Sequence, residues 1–307
     1  MQLITSAVIR HRPIGRASLI KWLSLTEEAS IGVEFLAKLM FLSQIFVYPI
    51  KSARGIEVSE TQVNISGPLQ DRRWMLVDQQ GVFLSQRRVP RMALIQPRFE
   101  GANLIVTAPN ISPLLISEWS GEGEWLSVRI WRDHLTLPHP SQAYSDWFSA
   151  FLGEPCRLVY LPDTVARPVE APYDKPQWRV SLADGYPLLL LTQASLDLLN
   201  ERLPTPVGIE RFRPNLVFSG TEAHEEDEWR RLRIGSVEIA VVKPCARCST
   251  VLVDPNTALP GVEPLRTLAR YRRKPQSVIF AQNGLVITPG RLRIGTPAEV
   301  LETSTRS

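Results

Sequence analysis

The sequence predicts a β-rich α+β fold, and three observations carry that prediction. Short β-branched and aromatic runs recur, with turn residues between them roughly every 8–12 positions, the spacing of a barrel or sandwich. Twenty-five prolines punctuate the 307 residues and exclude long uninterrupted helices. Helical periodicity with recognisable ends is confined to a few short stretches. At 44% apolar and 21% charged residues, the chain has the composition of a globular protein. It is long enough for one large core or two modest ones.

Residues 1–39 stand apart. Arg10, Arg12, Arg16, Lys21 and Lys38 face only Glu27, Glu28 and Glu34, and the first 26 residues hold no acid. This basic composition suits a targeting leader, but the segment lacks the apolar stretch of a signal peptide. The expectation is a disordered extension or a misplaced start, with Met40 as the true one. The strands begin with "LSQIFVYPI" (42–50), which alternates. "RWMLVDQQGVFLSQ" (73–86) reads as a hairpin whose turn uses Gly81, a residue free to take positive φ. "NLIVTA" (103–108), "LLISEW" (114–119) and "WLSVRIW" (125–131) continue the pattern.

Residues 141–155 form the first helix, with Ser141 as N-cap and Gly153 just past its end. Residues 192–203 form a second helix capped by Thr192, and residues 263–273 a third with cations in its last turn, where the dipole favours them. Between these helices, "RLRIGSVEIAVVKP" (231–244) is a hairpin about Gly235-Ser236, and "SVIFAQNGLVI" (277–287) is expected to close the fold as a strand pair. The proline-rich segment 167–179 reads as a linker or ordered loop. It separates two β-rich halves, residues 40–160 and 161–307.

The net charge is +4, mildly basic. The longest basic run, Arg270–Lys274, is too short and too poor in aromatics for a nucleic-acid stripe. No apolar run of about 18 residues is present, so no membrane-spanning helix is expected. Three cysteines make no disulfide framework and suit a reducing, cytoplasmic setting.

Cys245 and Cys248 form a C-x-x-C in "VVKPCARCSTVLVDPNTALPG". Structural zinc needs four ligands. The second half would have to come from His134 and His139, more than a hundred residues upstream. A thioredoxin-like dithiol would begin a helix, whereas "STVLVDP" here reads as a strand. A third reading has one thiolate bound to a metal that an organic cofactor carries, with Lys243 and Arg247 nearby. A fourth makes both cysteines small buried residues without chemistry.

Five blocks in order, "IFVYPIKSARGIEVSE", "DRRWMLVDQQGVFLSQRRVPRMALI", "ERFRPNLVFSG", "KPCARCSTVLVDPNT" and "EPLRTLARYRR", resemble the MOSC-domain family. Within it they are similar to the YcbX-type proteins and the mitochondrial amidoxime-reducing component. The resemblance spans residues 40 to about 300. It implies a MOSC β-barrel domain packed with an N-terminal β-barrel domain. It further implies a molybdenum cofactor, an anionic pterin with a dithiolene and a phosphate, and reduction of small N-hydroxylated compounds. Cys248 matches the metal ligand and catalytic cysteine, with Cys245 its neighbour. Lys51, Ser52, Arg72, Arg213, Asn215 and Arg247 match cofactor contacts. The loop Gly185, Tyr186 and Pro187 matches one that lends backbone groups. The family is also associated with pyridoxal phosphate.

Two positions depart from the family pattern: Asn283 stands where an aromatic residue is found in the animal proteins, and Ala258 where glycine is usual. The four-cysteine pattern of a plant-type ferredoxin is absent. The expected electron source is therefore a separate protein of ferredoxin, flavodoxin or cytochrome b5 type. A sulfur carrier using a cysteine persulfide is the alternative function.

Overall fold

Strand periodicity turns into a closed barrel. The computed structural model describes residues 39–304 except residues 174 and 176, so the expected N-terminal extension lies outside the described residues apart from Leu39. The largest sheet runs through Ala298–Thr303, Trp229–Ile234, Val237–Ala246, Ser277–Thr288, Leu188–Thr192, Leu216–Ser219 and Phe41–Val47, with Ile56–Val58 beyond. Its two ends then meet. Leu42 N bonds Thr296 O at 3.0 Å, Gly295 N bonds Leu42 O at 2.7 Å, and Ala298 N bonds Met40 O at 2.9 Å. Closure removes the free edges that an open sheet would expose.

The barrel fills with the side chains that alternation sends inward. Leu188 and Leu190, Leu232 and Ile234, and Val237, Ile239 and Val241 are all buried in one cluster with Leu42, Ile45, Phe218 and Trp229. Leu188–Thr192 and Leu216–Ser219 pair in parallel, which requires a crossover. Gln193–Asn200 supplies its helix. Thr192 caps that helix by accepting from Ser195 N at 3.2 Å. Behind the cap, Glu226 is fully buried and accepts from the Thr192 and Ser195 hydroxyls at 2.9 Å each.

Residues of the first half build smaller sheets. Gln96–Glu100, Asn103–Ala108 and Ile111–Ile116 form a meander, and Glu124–Ile130 pairs with Asp133–His139 as a hairpin. Helix Gln142–Leu152 packs Phe148, Phe151 and Leu152 against the meander. Gly153 ends that helix at φ 78, as expected, but Ser141 makes no side-chain cap bond. The proposed halves 40–160 and 161–307 share strands. Phe41–Val47 lies inside the barrel, and Glu60–Asn64 pairs with Gly290–Arg293.

Three local expectations are corrected. Residues 277–287 form no strand pair. Ser277–Thr288 is one strand, in which Ala281 takes φ 72 and the ladder shifts register, so the chain bends instead of reversing. The segment after Cys248 is a 3-10 turn, Ser249–Leu252, not a strand. The turn at Asp78–Gly81 exists, with Gly81 at φ 76, but Trp74–Val77 pairs mainly with Arg157–Tyr160.

Candidate functional site

A cleft between the first-half loops and one side of the barrel gathers nearly every residue singled out in the sequence. Lys51, Ser52, Arg72, Gly185, Tyr186, Arg213, Asn215, Arg247 and Cys248 all line it, as does Cys245. Pro187 does not. It is buried, and its carbonyl packs against Gly67, where any Cβ would lie 2.7 Å from that oxygen.

Each cation is held by the fold. Lys51 follows the first barrel strand, is 5% exposed, and donates to Leu182 O at 2.9 Å and to Asp184 Oδ1 at 2.6 Å. Burial pushes its ammonium down to about 8 against the pull of Asp184. Asp184 is 67% exposed, so this ion pair faces solvent on one side. Arg167, itself buried, fixes the same loop by donating to the carbonyls of Ser181, Ala183 and Asp184.

Arg72 and Arg213 share a platform. Their guanidinium carbons lie 4.1 and 4.3 Å from the centre of the buried Tyr48 ring. Arg72 Nη1 donates to Asp71 Oδ2 at 2.6 Å and to Asn215 Oδ1 at 3.1 Å, and Arg213 Nη1 donates to Ala53 O at 2.7 Å. Burial, with Arg72 close by, pushes Arg213 down to about 10. Two guanidiniums on one ring repel each other, and an anion between them would relieve that repulsion.

Asn215, which the resemblance matches to a cofactor contact, lines the cleft with its amide fully engaged in the fold. Its Nδ2 donates to Phe46 O and Asp71 Oδ1, and its Oδ1 accepts from Arg72 and from Leu189 N. All four hydrogen-bonding places of the amide are filled. Asn215 thus serves the cleft by holding Arg72 and Asp71 in position.

Ser52, Arg72 and Arg213 also share a backbone property, φ of 67, 48 and 57°. Left-handed backbone is rare for such residues, and it gathers at binding and active sites.

The cysteines separate in role. Cys245 ends the Val237–Ala246 strand half-buried, and its Sγ receives Arg247 Nη1 at 3.0 Å. Arg247 is itself anchored through Nη2 to Phe212 O at 2.9 Å, and its buried Nε has no partner among the described residues. Cys248 is exposed, and its Sγ donates to Thr250 Oγ1 at 3.3 Å. The reading of both as buried residues is therefore corrected on burial: Cys245 is half-buried and Cys248 exposed, and Cys156 is the buried one. The zinc reading fails on geometry as well, since His139 is buried and bonded to Ser145 Oγ at 2.7 Å.

The sequence reading missed several wall residues. Asp184 stands beside residues it named, inside "DGYP", but its partner Lys51 lies far along the chain; Asp71, buried behind the wall, accepts from its neighbour Arg72 and from the distant Tyr48 N and Asn215 Nδ2. Phe83, Ser85 and Arg87 complete the rim, with Arg87 stacked on the exposed Trp131 ring at 4.4 Å. Thr250 and Asn283 also line the cleft, and Asn283 Nδ2 donates to Lys243 O at 3.2 Å.

The donor set fits an anionic group with a site for soft metal coordination. Lys51, Arg72, Arg87, Arg213 and Arg247 present positive charge. Arg247 Nε, without a partner among the described residues, offers a further polar contact. Among the described residues, no three His, Cys, Asp or Glu side chains converge to cage a metal. A metal held here would take its remaining ligands from a carried group.

Residues 39–155 match the MOSC N-terminal beta barrel domain and residues 177–299 the MOSC domain. Human mitochondrial amidoxime-reducing component 1 is 32% identical, across 85% of this chain and 82% of its own. The Xenopus laevis protein of the same name is 31% identical, across 86% and 83%. Human mitochondrial amidoxime reducing component 2 is 34% identical, across 75% and 72%. Among solved structures, the YUAD protein from Bacillus subtilis aligns over 84% of this chain and 93% of its own at 10% identity, with a TM-score of 0.37.

Proposed function

The chain belongs to the MOSC-domain family that includes the mitochondrial amidoxime-reducing components, and from that premise we propose that it is a molybdenum-cofactor-dependent oxidoreductase acting on N-hydroxylated compounds. The observation that carries the proposal is convergence. Lys51, Arg72, Arg213 and Arg247, from four separated segments, surround one cleft with an exposed thiol, Cys248, at its wall.

When bound, the cofactor supplies the two-electron chemistry that converts N–OH to N–H. Cys248 would be its protein ligand through sulfur, a soft donor suited to such a metal. Arg72 and Arg213 would bind the anionic pterin and phosphate with planar guanidinium forks, which lysine cannot mimic. Asp71 and Asn215 orient Arg72. Lys51 adds charge from the loop side, and the half-buried backbone at Ser52 and Gly185 leaves room for close approach. The substrate is a small molecule, and the electrons come from a separate donor protein. Three free thiols support a cytoplasmic location.

The exposed Cys248 thiol also suits the second reading, a sulfur carrier with a persulfide at that position. One experiment separates the two. The protein and its Cys248→Ala variant are purified from a host that makes molybdenum cofactor, and molybdenum, pterin and reduction of an aryl amidoxime by reduced methyl viologen are measured. About one molybdenum and one pterin per chain, with turnover lost in the variant, support the reductase. A metal-free wild type with a transferable sulfur on Cys248 supports the carrier. Turnover retained by a metal-loaded Cys248→Ala protein sinks the ligand assignment.

A further inference from the structure

The basic run Arg270–Lys274 has no part in the cleft, yet the fold sets it beside the exposed cysteine. Arg270 lies in the last turn of the Leu265–Tyr271 helix, which packs on the Ser249–Leu252 turn directly after Cys248. Arg273–Lys274 forms a short strand paired to Ser277 and Val278. On the other side of that strand, Val278 O accepts from Arg247 N at 2.7 Å, and Ala246 pairs with Ile279. Arg273 and Arg247 therefore flank one strand, about 10 Å apart at the usual spacing.

Arg270, Arg273 and Lys274 are all exposed. Among the described residues, the ion pairs of this segment are Arg266 with Glu263 and Arg272 with Asp227, which leaves those three cations without a carboxylate. Two exposed apolar residues precede the helix that carries Arg270. Leu259 is 67% and Val262 58% exposed, and Val262 leads into the helix through the Arg266 N bond to its carbonyl at 3.2 Å. Exposed cations together with exposed apolar side chains have the composition of a transient protein interface. They do not have that of a nucleic-acid platform, which needs exposed stacking rings. Tyr271, the aromatic residue of the run, is covered by Arg202 and His224. The helix dipole accounts for Arg270 but not for the two cations beyond the helix.

We propose that Arg270, Arg273 and Lys274, with Leu259 and Val262, dock an acidic one-electron carrier protein beside Cys248. The inference rests on the reductase reading. Reducing one N–OH to N–H takes up two electrons and two protons and releases one water, so two reduced carriers are oxidised per turnover. A positive face raises the encounter rate with an acidic carrier and leaves small reductants unaffected.

The test is the triple variant Arg270→Glu, Arg273→Glu, Lys274→Glu, with an enzymatically reduced plant-type ferredoxin as the carrier. Ferredoxin binding is titrated directly, and amidoxime reduction is driven in parallel by ferredoxin and by reduced methyl viologen. Binding and ferredoxin-driven kcat/KM should both fall at least about tenfold at low salt, and the deficit should shrink as salt rises. Viologen-driven turnover should match the wild type. Ferredoxin binding unchanged by the triple reversal overturns the docking face, whether or not turnover is seen, and leaves these cations as guards of an edge strand. Preferential binding of single-stranded RNA to the face also overturns it. A wild type that binds no cofactor and reduces nothing with viologen instead fails the reductase reading, a result separable from the binding titration.

Discussion

Arg247 donates to the sulfur of Cys245 at 3.0 Å and leaves Cys248, on its other side in the chain, with an exposed thiol. A cysteine pair three residues apart is thereby divided. One sulfur is engaged by a guanidinium and the other is open to the cleft. Strand geometry does this. Cys245 is still in the Val237–Ala246 strand, and its partner Arg247 is anchored to Phe212 O, whereas Cys248 begins a 3-10 turn with extended backbone.

That division predicts unequal mutants. Cys245→Ala should keep its molybdenum and pterin and lose activity by no more than about tenfold, the lower range for a group that orients a site without touching the metal. Cys248→Ala should lose metal content and more than about a hundredfold in activity. Metal analysis beside a thermal melt checks both, and equal metal loss in the two variants would contradict the assignment.

Lys51 is held at a cost to stability. Its folded pKa is about 8 against 10.5, so between those values the unfolded chain carries the extra proton and stability rises with pH. The penalty is present in full below about 8. Lys51→Met should therefore remove that penalty at pH 7, partly offset by loss of the ion pair through which Lys51 holds the Asp184 carboxyl low against its burial, so that the net gain is smaller than the Lys51 shift alone implies, while reducing its retention of pterin. Urea melts at pH 7 and pH 10 should show the gain shrinking at the higher pH.

Glu226 gives the opposite slope. Burial raises its carboxyl from 4.5 to about 7, one oxygen bonds to Thr192 and Ser195, and the other has no partner among the described residues. The folded protein binds the extra proton between those values. Stability is full below 4.5 and falls as pH rises through 7. Glu226→Gln should leave stability near pH 4.5 unchanged and raise it at pH 8 by up to about 3 kcal/mol. A variant no more stable than wild type at pH 8 would show that the carboxylate is better solvated than its burial implies.

Ala258 occupies the left-handed region at φ 58, 8% exposed, in the turn closed by its N–H to Asp254 O at 2.8 Å. This is where the family pattern has glycine. Ala258→Gly should relieve the Cβ clash and stabilise by up to about 1 kcal/mol, less the entropy that glycine adds to the unfolded chain. Chemical denaturation of the single variant measures the balance.

The candidate site was legible wherever a side chain's type and its neighbours carried the information. Lys51, Arg72, Arg213, Arg247 and Cys248 stand in the blocks that resembled the family, and the fold brings them to one wall. Asn215 was legible as a residue, but its hydrogen bonds were not. Its four partners, Phe46, Asp71, Arg72 and Leu189, lie on three distant segments. Arg167 was hidden in a proline-rich stretch without periodicity, and only folding turns it onto the carbonyls of residues 181–184.

By itself the sequence determined what short-range physics decides. Alternation marked the barrel strands, Thr192 and Gly153 marked helix ends, and Gly81 marked a turn, because each depends on backbone preferences within a few residues. Tertiary structure alone decided the rest. It joined residues 40–42 to 295–298 and closed the barrel, and it drew Ser277–Thr288 out as one bent strand with neighbours on both sides. It also turned the Cys248 sulfur, and not that of Cys245, toward solvent. Those outcomes rest on hydrogen bonds and contacts between residues far apart in the chain, which no local window of sequence contains.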